Sequence, residues 1–131
     1  MDLFRLMYTS RISAASGPAC VPDIVRVSRA RNLRTDITGL LVFDGLRFCQ
    51  YIEGDSAEVL ALSARIAADP RHIDFTVLSS GPFSGERRFS SWSMAYAWTE
   101  DGNLLEDLAQ WRDTDAFTHF DALLPTCDME P

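Results

Sequence analysis

Four polar side chains stand where the sequence calls for apolar ones. Tyr8 continues the alternating run Phe4, Leu6, Tyr8, with Ser10 beyond it. Gln50 lies in "RFCQYIEG", in phase with Leu46, Phe48 and Ile52, while Arg47, Cys49, Tyr51 and Glu53 point the other way. Ser28 and Asn32 follow Ile24 at i+4 and i+8, on one helical stripe. Any one of them alone reads as a buried polar group bonded to backbone. Together, if both helices cover the same sheet face, they must satisfy one another or a ligand. Asn and Gln side chains each offer a donor and an acceptor without charge. That suits a planar heterocycle with alternating N–H and C=O edges, such as a flavin or pteridine ring. There is no carboxylate pair, Ser-His-Asp set, Cys-His nucleophile or Gly-rich phosphate loop, so the set reads as a binding pocket rather than a hydrolytic site.

The elements that must position these groups are legible in outline. Residues 3–9 alternate as a first strand, and "ISAASGPA" is a loop. Residues 20–33 carry Val21, Ile24, Val25 and Ser28 at helical spacing, with Pro22 tolerable in the first turn. "DITGLLVF" and "LRFCQYIE" are strands joined at Asp44-Gly45, which predicts a type I′ hairpin. "GDSAEVLALSARIAAD" is a second helix, with Asp55 in the cap position, Glu58 three residues on, and Val59, Leu62, Ser63 and Ile66 as its inner stripe. "DFTVLSS" and "SWSMAYAW" complete five strands. The order βαββαββ predicts an α+β, ferredoxin-like sandwich: a mixed five-stranded sheet with two helices on one face. Leu104, Leu105, Leu108 and Trp111, then Phe117, Phe120, Leu123 and Leu124, predict a short C-terminal helical pair over the other face. The expected division is a binding domain over residues 1–97 and a cap over 98–131.

The totals exclude several function classes. A chain of 131 residues is long enough for one domain with a real core. The net charge of -7 disfavours nucleic acid and anionic membrane as partners. No apolar run approaches a membrane span, and "MDLFRLMYTS" lacks the pattern of a signal peptide. Three widely spaced cysteines and two histidines predict neither disulfides nor a metal site, and a cytoplasmic setting. Against the acidic whole, Arg26, Arg29, Arg31 and Arg34 form a basic cluster over residues 26–34, read as a solvated helix face or a site for one phosphorylated small ligand.

The motifs also carry a family resemblance. "YTS" ends the first strand, "SRARNLRTDITGLLVFDGLRFCQYIEG" spans a helix and the hairpin, "DPRH" follows the second helix, and "FSSWSM" lies near the fifth strand. In this order, over about residues 2–96, they resemble the BLUF domains, blue-light sensors using FAD, and the length is similar to that of short BLUF proteins without an attached output domain. The resemblance implies FAD held non-covalently between the helices, with FMN or riboflavin as substitutes. It implies that Tyr8 donates an electron and a proton, that Gln50 links Tyr8 to the flavin N5 and O4 edge, and that Asn32 holds the N3 and C4=O side, with Ser28 beside it. Arg71 would lie near the C2 carbonyl within the motif Asp69, Arg71, His72, while Ile24, Leu41, Phe48 and Ile66 would wall the ring. Trp92 and Met94 match a pair whose placement in or out of the pocket is disputed in the family. Two residues apart on a strand, they should share a face unless a bulge intervenes. Trp92 is also a candidate competing electron donor.

Two departures from the family pattern stand out. Arg31 precedes Asn32 where many relatives have Asn or His, and Asp36 stands where Gly is common. Arg29, Arg31 and Arg34 are candidates for contact with the FAD pyrophosphate. The implied activity consumes no substrate: light changes a hydrogen bond at the flavin C4=O, and the change passes through Met94 and Trp92 to the C-terminal helices and a downstream protein, in a homo-oligomer. Two other classes remain open: an acylphosphatase-like enzyme on the same fold, and a small-ligand or flavin-binding regulatory module without photochemistry.

Overall fold

The computed structural model describes residues 3–90 and 92–130. The chain runs β1 (Leu3–Ile12), a 3-10 turn (Pro18–Cys20), α1 (Val21–Thr35), β2 (Thr38–Phe43), β3 (Arg47–Gly54), α2 (Ser56–Ala68) and β4 (His72–Phe83). It continues through β5 (Ala95–Trp98), α3 (Leu104–Leu108), α4 (Asp113–Leu123) and β6 (Asp128–Glu130). One mixed sheet results, in the order β4-β1-β3-β2-β5-β6. β1 lies antiparallel between β3 and β4, and β2 runs parallel to β5.

Period-two alternation sends two apolar sets to opposite faces of the sheet. Leu6, Tyr8, Ile12, Leu41, Phe48 and Ile52 pack under Ile24 and Val25 of α1 and Val59 and Leu62 of α2. Met7, Leu40, Val42, Cys49 and Tyr51 pack against Leu105 and Leu108 of α3 and Phe117, Phe120 and Leu123 of α4. The C-terminal helices therefore cover the second face, and β2 is buried along its whole length. Each large apolar side chain removed from water in this way contributes roughly 1.5–3 kcal/mol. Asp55 caps α2 by accepting from the N–H groups of Ala57 and Glu58. Asp36 closes α1 in the left-handed region at φ 56, which explains why glycine suits this position.

Several expectations need correction. The sheet has a sixth strand: β6 pairs antiparallel with β5, so the tail contributes an edge strand as well as helices. The fifth strand is shorter than expected, because regular pairing begins only at Ala95. Of the "SWSM" stretch assigned to it, Ser91 lies outside the described residues and 92–94 are irregular. Gly45 has positive φ but Asp44 does not, so the hairpin is not type I′ at Asp44-Gly45. Instead Asp44 Oδ1 accepts from the N–H groups of Leu46 and Arg47, carrying the turn one residue on. Trp111 leaves its expected stripe: it is exposed and stacks on His119 at 4.1 Å.

Candidate functional site

Tyr8 and Gln50 are direct cross-strand partners in the β1–β3 register, and Leu41 faces Gln50 from β2. Both polar side chains are buried. The Tyr8 hydroxyl donates to Gln50 Oε1, and Gln50 Nε2 donates to Met94 Sδ at 3.5 Å. A thioether accepts weakly and cannot donate. Met94 therefore favours the amide orientation that aims the carbonyl at Tyr8. Burial, and next the proximity of Cys49 and Asp69, push the Tyr8 phenol well above its ordinary pKa. Tyr8 stays protonated, with its proton committed to Gln50.

Above this pair a narrow cleft of about 70 Å³ opens between α1 and α2. Ile24, Val27, Ser28 and Arg31 of α1 form one wall, and Leu62, Arg65 and Ile66 of α2 form the other. Leu41 and Gln50 lie below, and Asp69, Arg71 and His72 close one end. Both Asp69 oxygens accept from Arg71 Nε at 3.1 Å, and Oδ2 also accepts from Nη2 at 2.7 Å. This hydrogen bonding holds the Asp69 carboxyl below its usual range. His72 Nδ1 bonds Ser10 Oγ at 2.8 Å, and burial lowers the imidazole pKa.

Asn32 stands one turn beyond Ser28 and is fully buried. Its Nδ2 donates to the Ser93 carbonyl at 2.8 Å, while Oδ1 finds no partner among the described residues. A buried acceptor left alone costs about 1–3 kcal/mol, and Asn32 is not among the residues that line the cleft. The same segment is held twice more: Gly39 N–H donates to Trp92 O and Arg29 Nε to Met94 O. Gly39 is needed there, since a Cβ would come within 2.0 Å of the Tyr51 carbonyl. So anchored, residues 92–94 turn Met94 into the helix-side core while Trp92 packs on the other face, stacked on Phe89 at 5.4 Å. The two lie on opposite sides because the strand has not yet begun.

The structure thus brings Tyr8, Ile24, Ser28, Leu41, Gln50, Ile66, Asp69, Arg71 and His72 together around one cleft. Phe48 lies beneath it, stacked on Phe43 at 4.6 Å. Arg31 reaches the cleft, but Arg29 belongs to the opposite flank of α1, and Arg34 lines neither cavity. Sequence reasoning missed Val27 and Arg65 as cleft residues and took Leu62 only for core. The helix period could have found Arg65, which sits three residues after Leu62.

Comparison with known sequences matches residues 3–95 to the family described as sensors of blue-light using FAD. The chain belongs to the BLUF family. It is 36% identical over 95 residues to photoactivated adenylate cyclase subunit beta of Euglena gracilis, a match covering 71% of this chain and 11% of that protein. It is 32% identical over 92 residues to the blue light- and temperature-regulated antirepressor BluF of Escherichia coli, covering 70% of this chain and 23% of that one. The chain therefore spans about a tenth to a quarter of the length of these relatives. The dark-state structure of the BLUF protein BlrB superposes with a TM-score of 0.71 at 39% identity, covering 83% of each chain. The family as a whole is described as sensors of blue light that use FAD.

Proposed function

We propose that this BLUF chain binds FAD non-covalently in the α1–α2 cleft and that Tyr8 and Gln50 form its photochemical pair. The observation that carries this is the hydrogen-bonded chain Tyr8–Gln50–Met94 facing the cleft, beside the unpaired Oδ1 of Asn32. The donor set fits the ring: Asn32 Oδ1 suits the N3–H, and Ser28 and Arg71 offer donors to the carbonyls. Arg31 and Arg65, on facing walls, supply cations for the pyrophosphate.

A bound flavin supplies a blue-light absorber and an electron acceptor. Tyr8 would be the donor: it would give up an electron and pass its acidified phenol's proton along the existing bond to Gln50 Oε1, and it would regain both when the radical pair recombines. Gln50 then exchanges its donor and acceptor ends, by rotation or by tautomerisation. In the rotated amide Oε1 faces Met94 sulfur, which has no proton to give. The change at Gln50 therefore disturbs Met94, whose backbone carbonyl is held by Arg29. From residues 92–94 the signal reaches Phe89 through the Trp92 stack, and α4 through the Arg88–Asp121 ion pair. Residues 1–97 are the sensing part and 98–131 the cap that presents the signal to a partner protein.

The chain itself carries out no enzymatic turnover in this reading, and it works as a homo-oligomer in the cytoplasm. Its three cysteines are all free, in keeping with a reducing compartment, and no helix among the described residues is long and apolar enough to cross a membrane. The test is a light-minus-dark absorbance spectrum of the FAD-loaded protein. Wild type should show a reversible red shift that Tyr8→Phe lacks. A Tyr8→Phe protein that keeps the full shift refutes the assignment.

A further inference from the structure

Between α3 and the end of α4 the cap carries an apolar groove of about 190 Å³. Leu104, Leu108, Ala122 and Leu123 line it, with Asp107 on the α3 wall and His119 on the α4 wall. Trp111, 38% exposed, stacks flat on His119 at 4.1 Å and extends that wall into water. Asp115 lies one turn before His119 on the same stripe of α4. The volume falls below the roughly 300–1,000 Å³ of small-molecule sites, so the groove suits a side chain rather than a cofactor.

The charge around this groove is of one sign. Residues 98–131 hold nine acids and one arginine, a formal charge of -8, whereas residues 1–97 hold ten acids and eleven arginines. The single arginine of the cap is turned to backbone: Arg112 Nη1 donates to the carbonyls of Ala109 at 2.7 Å and Trp111 at 2.8 Å. Glu106, Asp107 and Asp115 are exposed and have no ion-pair partner among the described residues. Asp107 meets only the Gln110 amide, at 3.5 Å.

We infer that this groove is a docking site for a basic amphipathic helix of a partner protein, with an apolar side chain seated in the groove and Lys or Arg over Asp107 and Asp115. The apolar floor beside Trp111 calls for an apolar anchor. The unpaired carboxylates around it call for cations next to that anchor, and repel nucleic acid, anionic membrane and acidic peptides. An amphipathic helix presents both together, with apolar residues at i, i+3 and i+4 and cations flanking them. The proposal deepens the reading in which the cap presents the light signal to a partner, and rests on that reading only for its coupling to light. Asp121, which pairs with Arg88, neighbours Ala122 of the groove, so one ion pair joins the docking site to the loop that leads to Met94.

Fluorescence anisotropy of a labelled peptide, titrated with the full FAD-loaded chain in the dark, tests the site. The probe is a helical peptide of about 15 residues, with Leu at i, i+3, i+4 and i+7 and Lys elsewhere. Two control peptides replace every Lys by Glu or every Leu by Ser. The Leu/Lys peptide should bind at least about tenfold more tightly than either control. The double variant Asp107→Lys, Asp115→Lys should weaken it at least about tenfold, and Trp111→Ala at least about threefold. Glu86→Lys, which makes the same charge change at an exposed site outside the cap, should leave it within about twofold. Circular dichroism should be unchanged throughout, because every substituted site is exposed. A control peptide that binds as well as the probe overturns the proposal. So does either cap variant with wild-type affinity, or a loss in Glu86→Lys as large as in the double variant. The absorbance red shift, read on the same samples, separates the two readings: its absence counts against the photochemistry and leaves the docking result standing.

Discussion

Glu53 has no exposed surface at all, yet it is a carboxylate, and replacing it by glutamine is the sharpest stability test the fold offers. Its Oε1 accepts from Tyr51 Oη at 3.0 Å and Arg88 N at 2.8 Å. Its Oε2 accepts from Thr38 Oγ1 at 3.3 Å and Phe89 N at 2.9 Å. All four partners donate. In Glu53→Gln one oxygen becomes an NH2 group of nearly the same size. A hydroxyl can turn to accept from it, but a backbone N–H cannot. Whichever end carries the NH2, one backbone N–H of Arg88 or Phe89 is left without an acceptor, at about 1–3 kcal/mol. The remaining bonds lose their charge assistance, while relief of carboxylate desolvation offsets part of the loss. The net expectation is a loss of about 2–3 kcal/mol. At about 4 °C per kcal/mol for a chain of this size, the melting point should fall by roughly 8–12 °C. Urea and thermal melts followed by circular dichroism give the number. Hydrogen exchange at the amides of Arg88 and Phe89, which should accelerate, gives the place. A loss below about 0.5 kcal/mol would refute the reasoning.

Three further outcomes are expected. The folded-state pKa of His72 lies below its unfolded value of about 6.5. Stability should therefore be full above that pH and decline as pH falls from about 6.5 towards the folded value, a slope that His72→Gln should flatten in pH-dependent urea melts. Asp69 is shifted the same way, but its contribution is lost only as pH falls below 3.8, outside this window. Arg65→Ala should weaken FAD binding about tenfold in fluorescence titrations while leaving riboflavin binding within about twofold, because only FAD carries the pyrophosphate. Trp92→Phe should keep the light-induced red shift, since its ring packs on the face opposite the cleft; a lost shift would place Trp92 in the photochemistry.

The most legible part of the site was the part governed by strict periodicity. Alternation along β1 and β3 fixes the faces of Tyr8 and Gln50, and the helical repeat places Ser28 and Asn32 beside them. Alternation failed at Trp92 and Met94, because three donors from other elements hold residues 92–94 out of strand geometry. Glu53 was seen only as a residue opposite Ile52; its burial depends on a long-range loop supplying two N–H groups, which no local pattern reveals. β6 is three residues long and forms by pairing with β5, so local propensity carries little trace of it. Arg65 is ambiguous in the helix pattern, because a cleft wall and a solvated face both accept a long cation.

The central claim is that Gln50 is the part that moves, and the chain contains only two glutamines, Gln50 and Gln110. Protein labelled with 15N in its glutamine side chains should give two NH2 signals by NMR, assigned with Gln110→Ala. Under blue light the Gln50 signal should shift and then recover in the dark in step with the visible spectrum, while the Gln110 signal stays fixed. A full visible red shift with an unmoved Gln50 signal would contradict the account.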